Sequence, residues 1–345
     1  MAAKRAGSPA RASPKKAPPD YAANPVNCGS AWWLDHPATA KREAWAVRSK
    51  GLGRYFVGLL GCVMPYAALL VFNGPEFDAT PRQIAAAQDG VPNGEVALAA
   101  CRVAAAVFAV SWTIALYFTD FVAELENMDR VPISTRICKR TLWRYQGFTQ
   151  WSWLAITVFF CASAFLSVSV LMSPDDALHD EPTLAANVAA ISLQVAWPFA
   201  LLTTITVTFV LVPAKCKLGL RQDGFFLPSA IAMHNLNVAL LLLEVLLDQI
   251  TFKVSNLPFA PIFGLAYLIF HNSYRYAKTR TLLYFFLNWQ GPHALKILVC
   301  LALGMAAFFA FGLAVAQLRD SATGAVALLV GARCIMRFRP MAKPE

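Results

Sequence analysis

The chain has 345 residues, of which 57% are hydrophobic and only 14% charged, with a mean hydropathy of +0.50. A soluble domain carries about 25% charged residues, so the composition excludes a large soluble core and calls for a polytopic membrane protein. The net charge of +10 does not point to nucleic acid, because the basic residues fall in alternate loops, the distribution that orients membrane proteins.

Residues 1–54 read as a basic cytoplasmic tail. Residues 1–20 are rich in Ala, Pro, Ser, Lys and Arg, contain no apolar run that would serve as a signal peptide, and are expected to be disordered. Ser8 and Ser13 each precede a proline, a pattern open to phosphorylation. Lys41, Arg42, Arg48, Lys50 and Arg54 mix with Trp32, Trp33 and Trp45, the composition of a segment lying on an anionic membrane surface.

Apolar segments follow at 55–72, 97–119, 148–172, 184–212, 225–247, 257–271 and 294–318. The expected fold is all-α, a polytopic transmembrane helix bundle of about seven spans occupying residues 55–318. The count stays open between six and eight. The sixth segment is the shortest, and the apolar run at 324–330 in the basic tail 319–345 is either an eighth, tilted crossing or an interfacial helix. Pro198 inside the long fourth segment predicts a kink or tilt.

The intervening loops alternate in charge. The tail 1–54 holds ten Lys and Arg, whereas 73–96 has Arg82 alone against Glu76, Asp78, Asp89 and Glu95. The loop 120–147 carries Arg130, Arg136, Lys139, Arg140 and Arg144, while 173–183 has four acids and no Lys or Arg. The loop 214–224 is basic again, 248–256 has only Lys253, and 272–293 has Arg275, Lys278 and Arg280. This alternation predicts a cytoplasmic N-terminus, in either the endoplasmic reticulum or the plasma membrane. Seven crossings would strand Arg319, Arg333, Arg337, Arg339 and Lys343 on the outer side, against the rule.

The eight cysteines show neither CxxC nor metal-ligand spacing, and none falls in a loop assigned to the outside. We therefore expect no disulfide, no metal and no cofactor. Cys138 and Cys216, near inner helix ends, are plain thiols or palmitoylation sites. There is no internal repeat, Walker motif, Rossmann glycine pattern or HExxH.

Polar residues inside the spans are the candidates for chemistry. On an ideal helix His234, Asn237, Leu241, Glu244 and Asp248 fall within about 80° of one another. Such a stripe must face protein or a water-filled cavity. It is either the wall of a polar site, with Asn235 beside it, or a line of hydrogen-bonding glue between helices. Thr149 lies about 7–8 Å along the third segment from Arg144, and His234 about 16 Å along the fifth from Asp223. Both segments run in the same direction, so both residues belong to the cytoplasmic half. A hydroxyl and an imidazole at similar depth can act as nucleophile and base, with Asn237 orienting the ring and Ser152 adding to the polar wall. The alternative is a threonine bonded to its own backbone. In this reading an acyl chain lies among Phe159, Phe160 and the leucines 240–243. The base must be neutral, so activity falls as pH drops through the histidine range, near 6.5 in water. Arg102 and Glu244 both sit near the outer ends of their spans. They form a structural ion pair or snorkel separately.

Gly147-Phe-Thr-Gln-Trp-Ser-Trp-Leu154, Met233-His-Asn-Leu-Asn237 ahead of a Leu-rich run ending in Glu244, and Leu283-Tyr-Phe-Phe-Leu-Asn-Trp-Gln-Gly-Pro292 follow one another in the chain. Together they resemble the androgen-induced protein family, which includes androgen-dependent membrane hydrolases, with rolling-stone proteins as more distant relatives. The resemblance covers roughly residues 97–318. It implies a multi-pass hydrolase of fatty acid esters of hydroxy fatty acids or similar lipid esters, with the family threonine at Thr149 and the family histidine at His234. Tyr284-Phe-Phe-Leu-Asn288 lacks the proline and the acid common in that family. The expected partners are the bilayer and a membrane lipid or fatty acyl ester. A non-enzymatic multi-pass protein of rolling-stone type is one alternative, and a small-molecule receptor or transporter another. The chain lacks an outer cysteine pair, inverted repeats and broken helices, features that would favour the last.

Overall fold

A computed structural model of the chain describes residues 52–74, 76–89, 93–118, 121–126, 132–137, 145–217, 222–275, 283–289 and 293–341. The readings made for Ser8, Ser13, Trp32, Trp33, Trp45, Cys138 and Arg144 lie outside these residues. The fold is a helical bundle that has, among the described residues, seven helices long and apolar enough to cross a membrane. We number them spans 1 to 7: Gly53–Phe72, Gly94–Tyr117, Phe148–Met172, Ala177–Lys217, Pro228–Leu247, Val254–Asn272 and Ala294–Leu318. These helices are apolar on nearly every side, as elements between lipid and protein must be, and each satisfies its backbone internally. This is the architecture of a multi-pass membrane protein.

Span 4 is the axis of the bundle. It packs against spans 3, 5, 6 and 7, and span 3 lies between it and span 2. Span 1 is peripheral, resting on spans 6 and 7. The core gathers Trp153, Phe159, Phe160, Trp197, Phe199 and Leu241, all essentially inaccessible. Gly312 allows a close approach between elements: a Cβ there would lie 2.5 Å from the Phe252 ring, so glycine lets span 7 settle on the stretch before span 6. The helix Leu184–Thr206 continues through Pro198.

The irregularities sit elsewhere. Spans 4, 5 and 6 each contain a π-helical stretch, at Val207–Leu211, Ala232–Leu236 and Phe270–Arg275. All three occur at the end of the bundle where span 3 begins, and such wide turns concentrate at functional sites. Between spans 2 and 3, β1 (Phe121–Glu126) pairs antiparallel with β2 (Pro132–Ile137), Phe121 opposite Ile137. Charge patterning treats this stretch only as a loop, so the hairpin is a departure from the sequence reading.

At the other end, the loop after span 1 folds over the bundle. Thr80 and Gln83 form a capping box on the short helix Pro81–Ala85. Ala79 N donates to Asn187 Oδ1, and Gln88 N donates to the Leu247 carbonyl. Lys253 reaches Glu76 and Asp78, and Arg82 reaches Asp180.

The C-terminal segment runs between these two ends. Arg319, just past span 7, pairs with Asp248 at 2.9 Å. The helix Ala322–Ile335 then descends beside span 5. Its length of about 21 Å falls short of a bilayer core of about 30 Å, and a non-helical stretch completes the path. Two side-chain amides of span 5 and its approach hold that stretch. Arg337 N donates to Asn235 Oδ1 at 3.1 Å while Asn235 Nδ2 donates to the Arg337 carbonyl at 2.8 Å. Met341 N donates to Gln222 Oε1 at 2.9 Å while Gln222 Nε2 donates to the Met341 carbonyl at 3.3 Å. Each amide satisfies a backbone donor and acceptor that no helix serves.

Candidate functional site

Thr149 is the second residue of the helix Phe148–Met172, which packs against the π-turn of span 5. Its Oγ1 lies 3.4 Å from Nε2 of His234, and both side chains are buried. That separation is at the long limit of a hydrogen bond, a looseness common in unliganded catalytic pairs. His234 sits in the middle of Ala232–Leu236, where the wide turn changes the angular spacing of a straight α-helix. The stripe read from the sequence is therefore bent at this point, yet His234, Asn237, Leu241, Glu244 and Asp248 are all buried.

The neighbours of the pair differ from the sequence expectation. Asn237 does not orient the imidazole. Its Oδ1 accepts from Thr204 Oγ1 at 3.3 Å and its Nδ2 donates to the Ala200 carbonyl, so it ties span 5 to span 4. The Thr204 hydroxyl also donates to the His234 carbonyl and fixes the backbone of the π-turn. His234 Nδ1 is buried with no hydrogen-bond partner among the described residues. Asn235 belongs to the clamp on the C-terminal segment rather than to the site wall. Ser152, one turn beyond Thr149, is buried, and its hydroxyl has no hydrogen-bond partner among the described residues.

Thr149 also lines a cleft with about 820 Å³ of empty space, its open mouth included. Walls come from spans 1, 3, 4, 6 and 7 and from the stretch 284–287. The cleft is apolar, not the polar cavity expected. Its few polar groups include the hydroxyls of Thr149, Thr203 and Tyr284. Tyr284 accepts a hydrogen bond from Phe148 N and so anchors the 284–287 stretch to the start of span 3. The expected acyl site is misplaced: Phe159 and Phe160 are packed in the core, and neither they nor the leucines 240–243 line the cleft. The walls there are Phe199, Leu202, Leu265 and Leu268.

The charges inside the spans gather at the opposite end. Arg102 is fully buried; its Nε donates to Glu244 Oε1 at 2.7 Å, and its Nη2 contacts the same oxygen. Nη1 donates to the Ile84 carbonyl at 2.6 Å and to Ser167 Oγ at 2.8 Å. Asp248 stands 3.7 Å from Arg102 and 2.9 Å from Arg319. Sequence reasoning named Arg102 and Glu244 and left Arg319 stranded. Asp248 on the same stripe was the available signal that a second cation was needed. Among the described residues no three His, Cys, Asp or Glu converge as a metal site, and Cys62, Cys101, Cys161, Cys216, Cys300 and Cys334 are free thiols.

Compared with protein-family models, curated proteins and solved structures, the chain matches none.

Proposed function

We propose that the protein is an integral membrane hydrolase of lipid esters, with Thr149 as nucleophile and His234 as base. The single observation that carries this reading is the 3.4 Å approach of His234 Nε2 to Oγ1 of Thr149, a residue that lines an apolar cleft. The resemblance of the motifs around both residues to the androgen-induced family supports it.

In this reading an acyl chain lies between Phe199, Leu202 and Leu265, with its ester carbonyl at Thr149. His234 Nε2 takes the Thr149 proton as Oγ1 bonds to the carbonyl carbon and the carbonyl electron pair moves onto oxygen. Collapse breaks the bond to the leaving alcohol, which receives the proton from the ring. Water, deprotonated by the same nitrogen, then attacks the acyl-threonine, releases the acid and restores the hydroxyl.

The orientation that accompanies this reading has the N-terminus in the cytoplasm and the Thr149 site in the cytoplasmic half, in the endoplasmic reticulum or plasma membrane. It is supported by the basic loops at the Gln222 end and the acidic loops at the Glu244 end. The C-terminal segment, held to Gln222 and Asn235, brings Arg337 and Arg339 to the basic end. The stranding of those arginines then disappears.

A fluorophosphonate probe tests the nucleophile. Purified wild-type protein is expected to label and Thr149→Ala to remain unlabelled. Equal labelling of both would end the assignment.

A further inference from the structure

A threonine nucleophile and a histidine leave one task undone, because the carbonyl oxygen becomes negative in the transition state and needs a donor aimed at it. The cleft offers few candidates. Tyr267 spends its proton on the Gln146 carbonyl, and Tyr284 is held in place by the bond its oxygen accepts from Phe148 N. Thr203 is different. It lines the same cleft as Thr149, is only 3% exposed, and its Oγ1 has no hydrogen-bond partner among the described residues. A threonine in an apolar helix ordinarily bonds the carbonyl three or four residues back, as Thr157 does with Trp153 and Thr113 with Ala109. Thr203 forgoes that bond, and a buried hydroxyl without a partner costs about 1–3 kcal/mol. Structural residues do not retain such a cost without return. Its position is fixed from both sides: Phe199, one turn earlier, packs its ring at a tilt against Phe148, the neighbour of Thr149, with centroids 4.9 Å apart, and Thr204, the next residue, holds the His234 backbone.

We propose that the Thr203 hydroxyl donates to the ester carbonyl oxygen as that oxygen becomes an oxyanion. This rests on the hydrolase reading above. When Thr149 Oγ1 bonds to carbon, the displaced electron pair settles on the oxygen that Thr203 contacts. The hydroxyl keeps its own proton throughout, and the pair returns to the carbonyl as the leaving alcohol departs. Thr203 also makes the site selective for substrates with a carbonyl acceptor over ethers of the same length.

The test compares Thr203→Val, Thr203→Ser and Thr203→Ala with Thr149→Ala, all purified in detergent and checked for a folded, monodisperse state. Hydrolysis of a long-chain p-nitrophenyl ester is followed. Valine keeps the shape and removes only the hydroxyl. Thr203→Val is expected to lower kcat about 100-fold, the scale for one lost oxyanion donor, with KM little changed, and Thr203→Ser to retain most of the wild-type kcat. Should valine prevent folding, the serine–alanine pair decides: serine active and alanine impaired supports the donor. Wild-type kcat in Thr203→Val, or in both serine and alanine, overturns it. Thr149→Ala separates the two ideas. If it is inactive while Thr203→Val is normal, only the Thr203 assignment falls; if it still hydrolyses the ester, the hydrolase mechanism itself falls.

Discussion

Arg102 directs two of its nitrogens at one oxygen of Glu244, across the bundle from span 2 to span 5. The remaining nitrogen is spent on Ile84 and Ser167, so four of the five guanidinium N–H groups are engaged. Asp248 and Arg319 extend the pair into a neutral cluster of two acids and two cations. Removing one member leaves an uncompensated buried charge, which costs about 3–5 kcal/mol. Arg102→Met is therefore expected to destabilise strongly, and Glu244→Gln to destabilise less, since the amide still accepts from Arg102. The double mutant should lose less than the sum, with a coupling of about 0.5–3 kcal/mol. Unfolding of the four proteins in detergent measures this cycle, and strictly additive losses would show that the two side chains do not stabilise each other.

The bond pairs Asn235–Arg337 and Gln222–Met341 make a second prediction. They hold a non-helical stretch whose backbone has no other recourse. Asn235→Leu combined with Gln222→Leu should release it, so limited proteolysis at Arg337 and Arg339 should speed up while spans 1 to 7 stay intact. In cells, glycosylation acceptors inserted at 176 should be modified, and those at 147 or after 341 should not. Modification after 341 together with 176 would place the C-terminus opposite to the proposed side.

Much of the bundle was legible because lipid permits so few solutions. A long apolar run must be a helix, and all seven spans follow from that. The polar residues inside them could be ranked for the same reason, which is how Thr149, His234, Arg102 and Glu244 stood out. What a one-dimensional reading lacks is azimuth. The π-turn at Ala232–Leu236 changes the facing of Asn235, and no residue in it advertises a wide turn. Asn237 is one helical turn from His234 in sequence, yet its amide finds Thr204 and Ala200 on another span. The cleft was missed because its walls come from five spans, and Thr203 because its signal is a missing bond. The C-terminal segment was undecided because a helix of about 21 Å neither spans nor lies flat by length alone, and its completion depends on amides far away in the chain.

The loop ion pairs give a pH prediction. The hydrogen bond from Lys253 holds the Asp78 carboxyl below the usual carboxylate range, and burial opposes this slightly. An acid with a lowered native pKa binds fewer protons when folded. It contributes stability that is fully present above about pH 4 and lost as pH falls through the native value. The pair is exposed, so the effect is small. Asp78→Asn should remove part of the acid sensitivity of thermal unfolding below pH 4 and leave the midpoint at pH 7 nearly unchanged. An unchanged acid limb would assign that sensitivity to other groups.

The cleft gives the last prediction. Gly264 lines it, and a Cβ there would meet the Phe199 ring at 3.6 Å, an ordinary contact. Alanine therefore fits, whereas a leucine side chain continues into the space assigned to the acyl chain. Filling it removes apolar surface that a long substrate would bury, at about 0.8 kcal/mol per methylene. A loss of three or four methylenes corresponds to a fall in kcat/KM of roughly 100-fold, since 1.4 kcal/mol is tenfold. Gly264→Leu should thus discriminate by chain length: long-chain esters should lose about 100-fold, and acetate or butyrate esters, which do not reach this wall, should be hydrolysed at nearly the wild-type rate. Gly264→Ala should resemble the wild type throughout, which guards against a general effect of replacing glycine in span 6. The same profile run against pH should fall toward acid for every substrate, because protonated His234 cannot accept the Thr149 proton. Equal losses for short and long esters in Gly264→Leu would mean that the cleft does not hold the chain, even if Thr149 remains the nucleophile.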